Sequence, residues 1–244
     1  MAGIINDTLE TYVGNLKLVL LFSIPFIIAF LIPVLAPLPT YITSGGIFLR
    51  SASIFINLNI LSIAIIIIPV FVSLLFLSFA LVAISLIVKS TRTHVRTGKS
   101  ALQGIEKYTA SVFLLLVVFQ GLLIIVNVVG YFLGISALLT AVVGFLMFML
   151  IFYAPSAMVI DNKKMVRAIK DSAKLVTREP AYFLFGIFLL LVSISIVDAF
   201  AIGLSGTLLS RYLVLLVSSL IILPFFVIYQ AEAYMKRFPI IKNA

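Results

Sequence analysis

Cysteine and tryptophan are absent from this 244-residue chain, and histidine occurs once. The lack of cysteine excludes a disulfide framework, a thiolate nucleophile and a Cys-ligated metal. Charge is scarce as well: 10% of residues are charged, and only 8 are acidic. One His and so few carboxylates leave little from which to build a catalytic metal site. Apolar residues fill the chain instead, at 64%. A soluble domain runs nearer half apolar and a quarter charged, so a water-soluble globular fold is excluded. The formal net charge of +9 does not point to a nucleic-acid partner, because membrane proteins gather Lys and Arg on one side.

A helix needs about 20 apolar residues to cross a bilayer core. Six such runs lie between charged stops, over about 18–38, 57–88, 110–133, 136–160, 181–204 and 208–234. The predicted fold is all-α, a single polytopic bundle of six transmembrane helices over 1–244, with two short cytoplasmic amphipathic helices. With the N-terminus inside, the inner segments hold Lys17, then Lys89, Arg92, Arg96, Lys99 and Lys107. They also hold Lys163, Lys164, Arg167, Lys170, Lys174, Arg178, Lys236, Arg237 and Lys242, leaving only Arg50 and Arg211 outside. The positive-inside rule then places both termini in the cytoplasm of a cell-membrane protein.

Residues 1–16 carry Asp7 and Glu10 rather than a basic leader, so the first span is expected to be an uncleaved anchor. Ile4, Ile5, Leu9 and Tyr12 fall on one helical face, which predicts a helix along the cytoplasmic interface. The outer stretch 39–56 is apolar for a loop and is expected to form an interfacial or re-entrant helix.

The strongest amphipathic pattern covers 162–178. Met165, Val166, Ile169, Ser172, Ala173 and Val176 share one face, and Lys163, Lys164, Arg167, Lys170, Asp171 and Lys174 share the other. Asp161 or Asn162 is the expected cap, Arg167–Asp171 the expected i,i+4 pair, and Pro180 ends the helix at Glu179. The earlier loop repeats the plan: Gly98 breaks the chain, and Ser100 with Gln103 reads as a capping box. Two readings follow. The basic residues bind anionic lipid headgroups, each worth about 1 kcal/mol near the surface, or they serve topology alone.

The stretch Tyr153-Ala154-Pro155-Ser156-Ala157-Met158-Val159-Ile160, followed by Ala168-Ile169-Lys170-Asp171-Ser172 and Leu175-Val176, resembles a group of uncharacterised six-helix integral membrane proteins. In that group an Ala-Pro near the inner end of the fourth span precedes a surface helix with an Ala-x-x-x-Ser pattern. The group is related to the membrane domain found fused to some bacterial glycerophosphodiester phosphodiesterases. The resemblance implies the fold and not that activity, because this chain has no phosphodiesterase portion. No catalytic residue carries over.

Intramembrane chemistries fail on the residues. A Ser nucleophile at Ser205 needs a His base within reach, but His94 belongs to the opposite side of the bilayer. Aspartyl proteases need two membrane carboxylates, and among the acidic residues only Asp198 is expected to lie deep. His-Glu-x-x-His is absent. No catalytic, metal or cofactor site is expected. Gly130 and Gly134 are read as a tight turn between the third and fourth spans. Prolines 25, 33, 69, 155 and 224 interrupt spans and predict kinks.

A carboxylate within a span costs several kcal/mol unless paired. Asp198 lies about 26 Å beyond Ala181 at helical rise, Asn127 reaches the same depth on the third span, and Arg211 and Arg50 arrive at that outer end. These residues form either a polar vestibule for a solute, ion or headgroup, or a structural Asp198–Arg211 clasp. The functional expectation is a non-enzymatic membrane protein that interacts with lipid or assists a membrane partner. The alternative is a small-solute or ion transporter or channel using that vestibule.

Overall fold

The computed structural model describes the backbone of residues 2–35, 40–43, 46–49, 60–93, 99–135 and 137–238. Side chains are described within 3–32, 67–93, 104–130, 132–135, 138–203 and 212–238. The helices are α1 (Ala2–Gly14), α2 (Leu16–Leu35), α3 (Ile60–Thr93), α4 (Lys99–Phe132), α5 (Ala137–Ile151), α6 (Ala154–Ile160), α7 (Met165–Arg178), α8 (Pro180–Val217) and α9 (Leu223–Arg237). A π-turn, Ser218–Ile222, joins the last two. Five helices are long and apolar enough to cross a membrane, or six if α1 and α2, bent by 91°, count as one span.

The corner between α1 and α2 falls at Asn15, after Gly14, which has poor helix propensity. Asn15 Nδ2 donates to the Thr11 carbonyl (3.0 Å) and to Thr91 Oγ1 (3.2 Å), tying the bend to α3. The inward face of α1 is Ile4, Thr8 and Thr11, all buried. The expected face ran through Leu9, which is exposed. The stripe is rotated because α1 packs across α9, where the opposing groups are polar and threonine hydroxyls find partners.

Between α2 and α3, part of the expected interfacial or re-entrant helix is instead a hairpin of β1 (Thr40–Thr43) and β2 (Gly46–Leu49), antiparallel, with Tyr41 opposite Phe48. Thr, Tyr, Ile and Phe favour a pleated strand over a helix, which explains the difference. In α4 the basic leading residues continue unbroken into the span from Lys99. Ser100, expected as the cap of a separate surface helix, is already helical. At the far end Gly134 has φ +65°, and the Ile135 N–H donates to the Gly130 carbonyl (2.8 Å). Gly130 also meets the Thr140 side chain closely. This is the expected turn, with glycine supplying both the left-handed residue and the close approach.

The next span breaks in two. The α5 helix stops at Ile151, and Pro155 opens α6 within its first turn. Around this break Phe148, Phe152, Phe183 and Phe226 pack edge to face, with ring centroids 4.8 Å apart for Phe152–Phe183 and 5.4 Å for Phe152–Phe226. Such pairs are worth about 0.5–1.5 kcal/mol each beyond area. In lipid, where burial alone separates helices from nothing, this packing is what selects the partner.

Helix continues from 180 to 237, a run that would extend about 87 Å if straight. Its two ends nevertheless meet: Tyr229 Oη donates to the Tyr182 carbonyl at 2.7 Å, and a Cβ at Gly186 would lie 2.6 Å from Tyr229 Cε1. The chain therefore reverses about midway, giving α8 an outgoing and a returning leg. The best-buried segments are the last third of α3, α6 apart from Pro155, and most of α9. They form the core at one end of the bundle, while α4, α5 and outgoing α8 turn large apolar side chains outward.

Candidate functional site

Polar side chains collect at the bundle end that carries α1 and α7, the basic end. Glu232 on α9 is 4% exposed, deeper than any other carboxylate among the described residues. Arg92, in the last turn of α3, grips it through Nε (3.1 Å) and Nη2 (2.9 Å) to Oε2. Thr11 Oγ1 donates to Oε1 at 2.9 Å. Arg92 Nη2 also stands 3.4 Å from Asp7 Oδ2. A buried carboxylate is tolerable only when paired and hydrogen-bonded. Three elements, α1, α3 and α9, supply that pairing. Sequence reasoning placed Asp198 as the single deep carboxylate and passed over Glu232. The signal was present, since Glu232 interrupts the last apolar run.

A second cluster fixes α7. Asn162 adopts φ +54° and turns the chain out of α6. This aims Lys163 Nζ at Asp161 Oδ2 and Asp171 Oδ2, both 2.7 Å away. Lys163 also donates to Tyr234 Oη (3.0 Å), which itself donates to Asp161 Oδ2 (2.7 Å). Burial pushes the Lys163 ammonium down, but the hydrogen bonds it donates to Asp161, Asp171 and Tyr234 outweigh that and raise its pKa. Asp171 thus pairs with Lys163 rather than with Arg167. Nor does Asp161 or Asn162 cap α7: the N-cap is Lys164, with no side-chain bond. Both aspartate-side expectations fail because Lys163 draws those carboxylates together. Glu179 does end the helix before Pro180, its N–H donating to the Leu175 carbonyl (2.8 Å).

The buried stripe of α7 is Ala168, Ser172, Leu175 and Val176. It shares Ser172 and Val176 with the expected face, whose Met165 and Ile169 also pack on the core, but Val166 is left exposed. The reason is the break before α6. The Tyr153 N–H, freed by the break, donates to Ser172 Oγ at 2.9 Å. Gln230 Nε2 donates to the Phe152 carbonyl (3.3 Å) and Lys89 Nζ to the Val159 carbonyl (2.9 Å). Seated in this way, α7 keeps Lys164, Arg167, Lys170, Lys174 and Arg178 exposed. Among the described residues none of these five enters an ion pair. Of the five expected lipid contacts, Lys163 alone is committed internally.

The residues expected at the outer end are less assembled. Asp198 is half-buried on α8. Asn127 is exposed and donates to the Leu123 carbonyl of its own helix (2.8 Å). The α4 and α8 helices are not in extensive contact. The side chains of Arg211 and Arg50 lie outside the described residues, as do those of His94 and Ser205. Among the described residues no three His, Cys, Asp or Glu side chains gather as a metal site.

Long apolar helices that turn their large hydrophobic side chains outward define a multi-pass helical membrane protein. No family model matches the chain, and no curated protein or solved structure is significantly similar to it.

Proposed function

We propose that this is a six-span, non-enzymatic protein of the cell membrane, with both termini cytoplasmic, that holds acidic lipid headgroups on the exposed face of α7. One observation carries the reading. The apolar side of α7 is locked into the bundle, so its free cations, Lys164, Arg167, Lys170 and Lys174, form a fixed array rather than a drifting surface helix. Each is worth about 1 kcal/mol against an anionic leaflet, and a rigid array loses less ordering entropy on binding. The resemblance of the Ala-Pro and Ala-x-x-x-Ser segments to the six-helix membrane group supports the span count. In this reading α7 anchors lipid, or presents it to a membrane partner.

The test is lipid retention. Lys170→Glu with Lys174→Glu should strip co-purifying acidic phospholipid from the detergent-solubilised protein while leaving zwitterionic lipid in place. Raising salt should act in the same direction. Unchanged acidic lipid in the double variant would overturn the proposal and leave these cations as topology signals.

A further inference from the structure

Two lysines converge on one tyrosine at the basic end of the bundle. Lys89 Nζ, near the end of α3, stands 5.8 Å from the centre of the Tyr108 ring, and Lys107 Nζ, on α4, stands 5.2 Å from it. Lys89 is half-buried and held in place, because one of its three N–H donors goes to the Val159 carbonyl in the last turn of α6 (2.9 Å). Among the described residues neither ammonium has a carboxylate within ion-pair distance. Asp161 attracts Lys89 from farther off and Lys107 repels it, but the Asp161 carboxylate already receives Lys163 and Tyr234 at 2.7 Å each. Glu106, two residues before Tyr108, leaves α4 on nearly the opposite side. Two like charges on one ring repel each other, and an anion between them relieves both. Lys107 also heads a stripe on α4. Ser111, Leu114, Val118 and Leu122 follow it at i+4, i+7, i+11 and i+15, and all are exposed.

We propose that Lys89 and Lys107, beside Tyr108, hold the phosphomonoester headgroup of a membrane lipid whose acyl chain lies along the Leu114–Leu122 stripe of α4. A phosphomonoester carries about −1.5 to −2 near neutral pH and matches two ammoniums. A phosphodiester carries a single negative charge and leaves one lysine unmatched. Lys89 supplies a fixed point charge, and the four-carbon stem of exposed Lys107 lets its ammonium swing onto the same phosphate. The apolar stripe favours a lipid over a soluble phosphate, which has no use for it. No group of this site belongs to α7, so the inference does not rest on the cations of that helix.

The experiment uses the full chain in phosphatidylcholine–detergent micelles doped with either phosphatidic acid or phosphatidylglycerol, with thermal unfolding as the readout. The midpoint should rise with both lipids, but at a mole fraction about fivefold lower for phosphatidic acid, the gain from one further matched charge. Lys107→Gln should erase that preference. Lys89→Gln, which keeps an amide donor for the Val159 carbonyl, should erase it too, and the exposed Lys107 variant decides alone if the Lys89 variant fails to fold. Lys170→Glu with Lys174→Glu should keep the preference while losing acidic lipid overall, which separates this site from α7. Equal response of the native chain to the two lipids would overturn the site, as would a preference that survives Lys107→Gln. If inorganic phosphate alone gives the full rise and phosphatidic acid adds nothing, the ligand is a soluble phosphate and the lipid is rejected.

Discussion

The backbone N–H of Tyr153 and the hydroxyl of Ser172 are joined at 2.9 Å, so the break between α5 and α6 is completed by α7. The sequence order matters here: Pro155 creates the vacancy, and the chain returns 19 residues later with a side chain that fills it. The stretches 153–160 and 168–176 are therefore one structural unit.

Removing that hydroxyl should be costly. Ser172→Ala leaves a buried N–H without an acceptor, a loss of about 1–3 kcal/mol. Thermal unfolding in detergent should show a lower midpoint, and α7 should become more accessible to protease. An unchanged midpoint would mean that the break is satisfied in some other way.

Glu232 and Arg92 should behave as a coupled pair. Glu232→Ala leaves Arg92 with only the longer contact to Asp7, and Arg92→Ala leaves a buried carboxylate. Each single change should destabilise by about 3–5 kcal/mol, and the double change by less than their sum. Additive losses in a double-mutant cycle would show that the pair is not a unit.

Gly186→Ala should fail sterically. Its new Cβ would sit 2.6 Å from the Tyr229 ring, so outgoing α8 and α9 must part and the Tyr229–Tyr182 hydrogen bond must stretch. Overpacking of this kind costs about 1–3 kcal/mol. Combining it with Tyr229→Ala, which vacates the space, should add almost nothing to the loss caused by Tyr229→Ala alone, and unfolding midpoints of the two variants decide it.

Orientation has its own test, because the chain contains no native cysteine. Ser44→Cys should react with a membrane-impermeant thiol reagent on intact cells, and Ser100→Cys should not. The reverse pattern would place the termini outside.

Apolar run length determined the long helices on its own. A bilayer demands some 20 apolar residues per crossing, and the five helices long and apolar enough to cross one fall on the runs read from Asn57, Ala110, Ser136, Ala181 and Leu208, while the run from Leu18 falls on the bent pair α1 and α2. The turn at Gly134 and the end of α7 before Pro180 were legible for the same local reason, backbone chemistry that only Gly or Pro imposes. What periodicity could not reveal was which face of an amphipathic helix turns inward when the surface that receives it is polar. On α1 the answer was Thr8 and Thr11 rather than Leu9, because Glu232 and Arg92 wait beneath. On α7 it was Ala168, Ser172 and Leu175 rather than Val166, because a freed N–H needed an acceptor. Glu232 and Arg92 are 140 residues apart, and only the tertiary structure brings them into one hydrogen-bonded group. A charge inside an apolar run announces that a partner exists. The packing of the helices decides which residue it is.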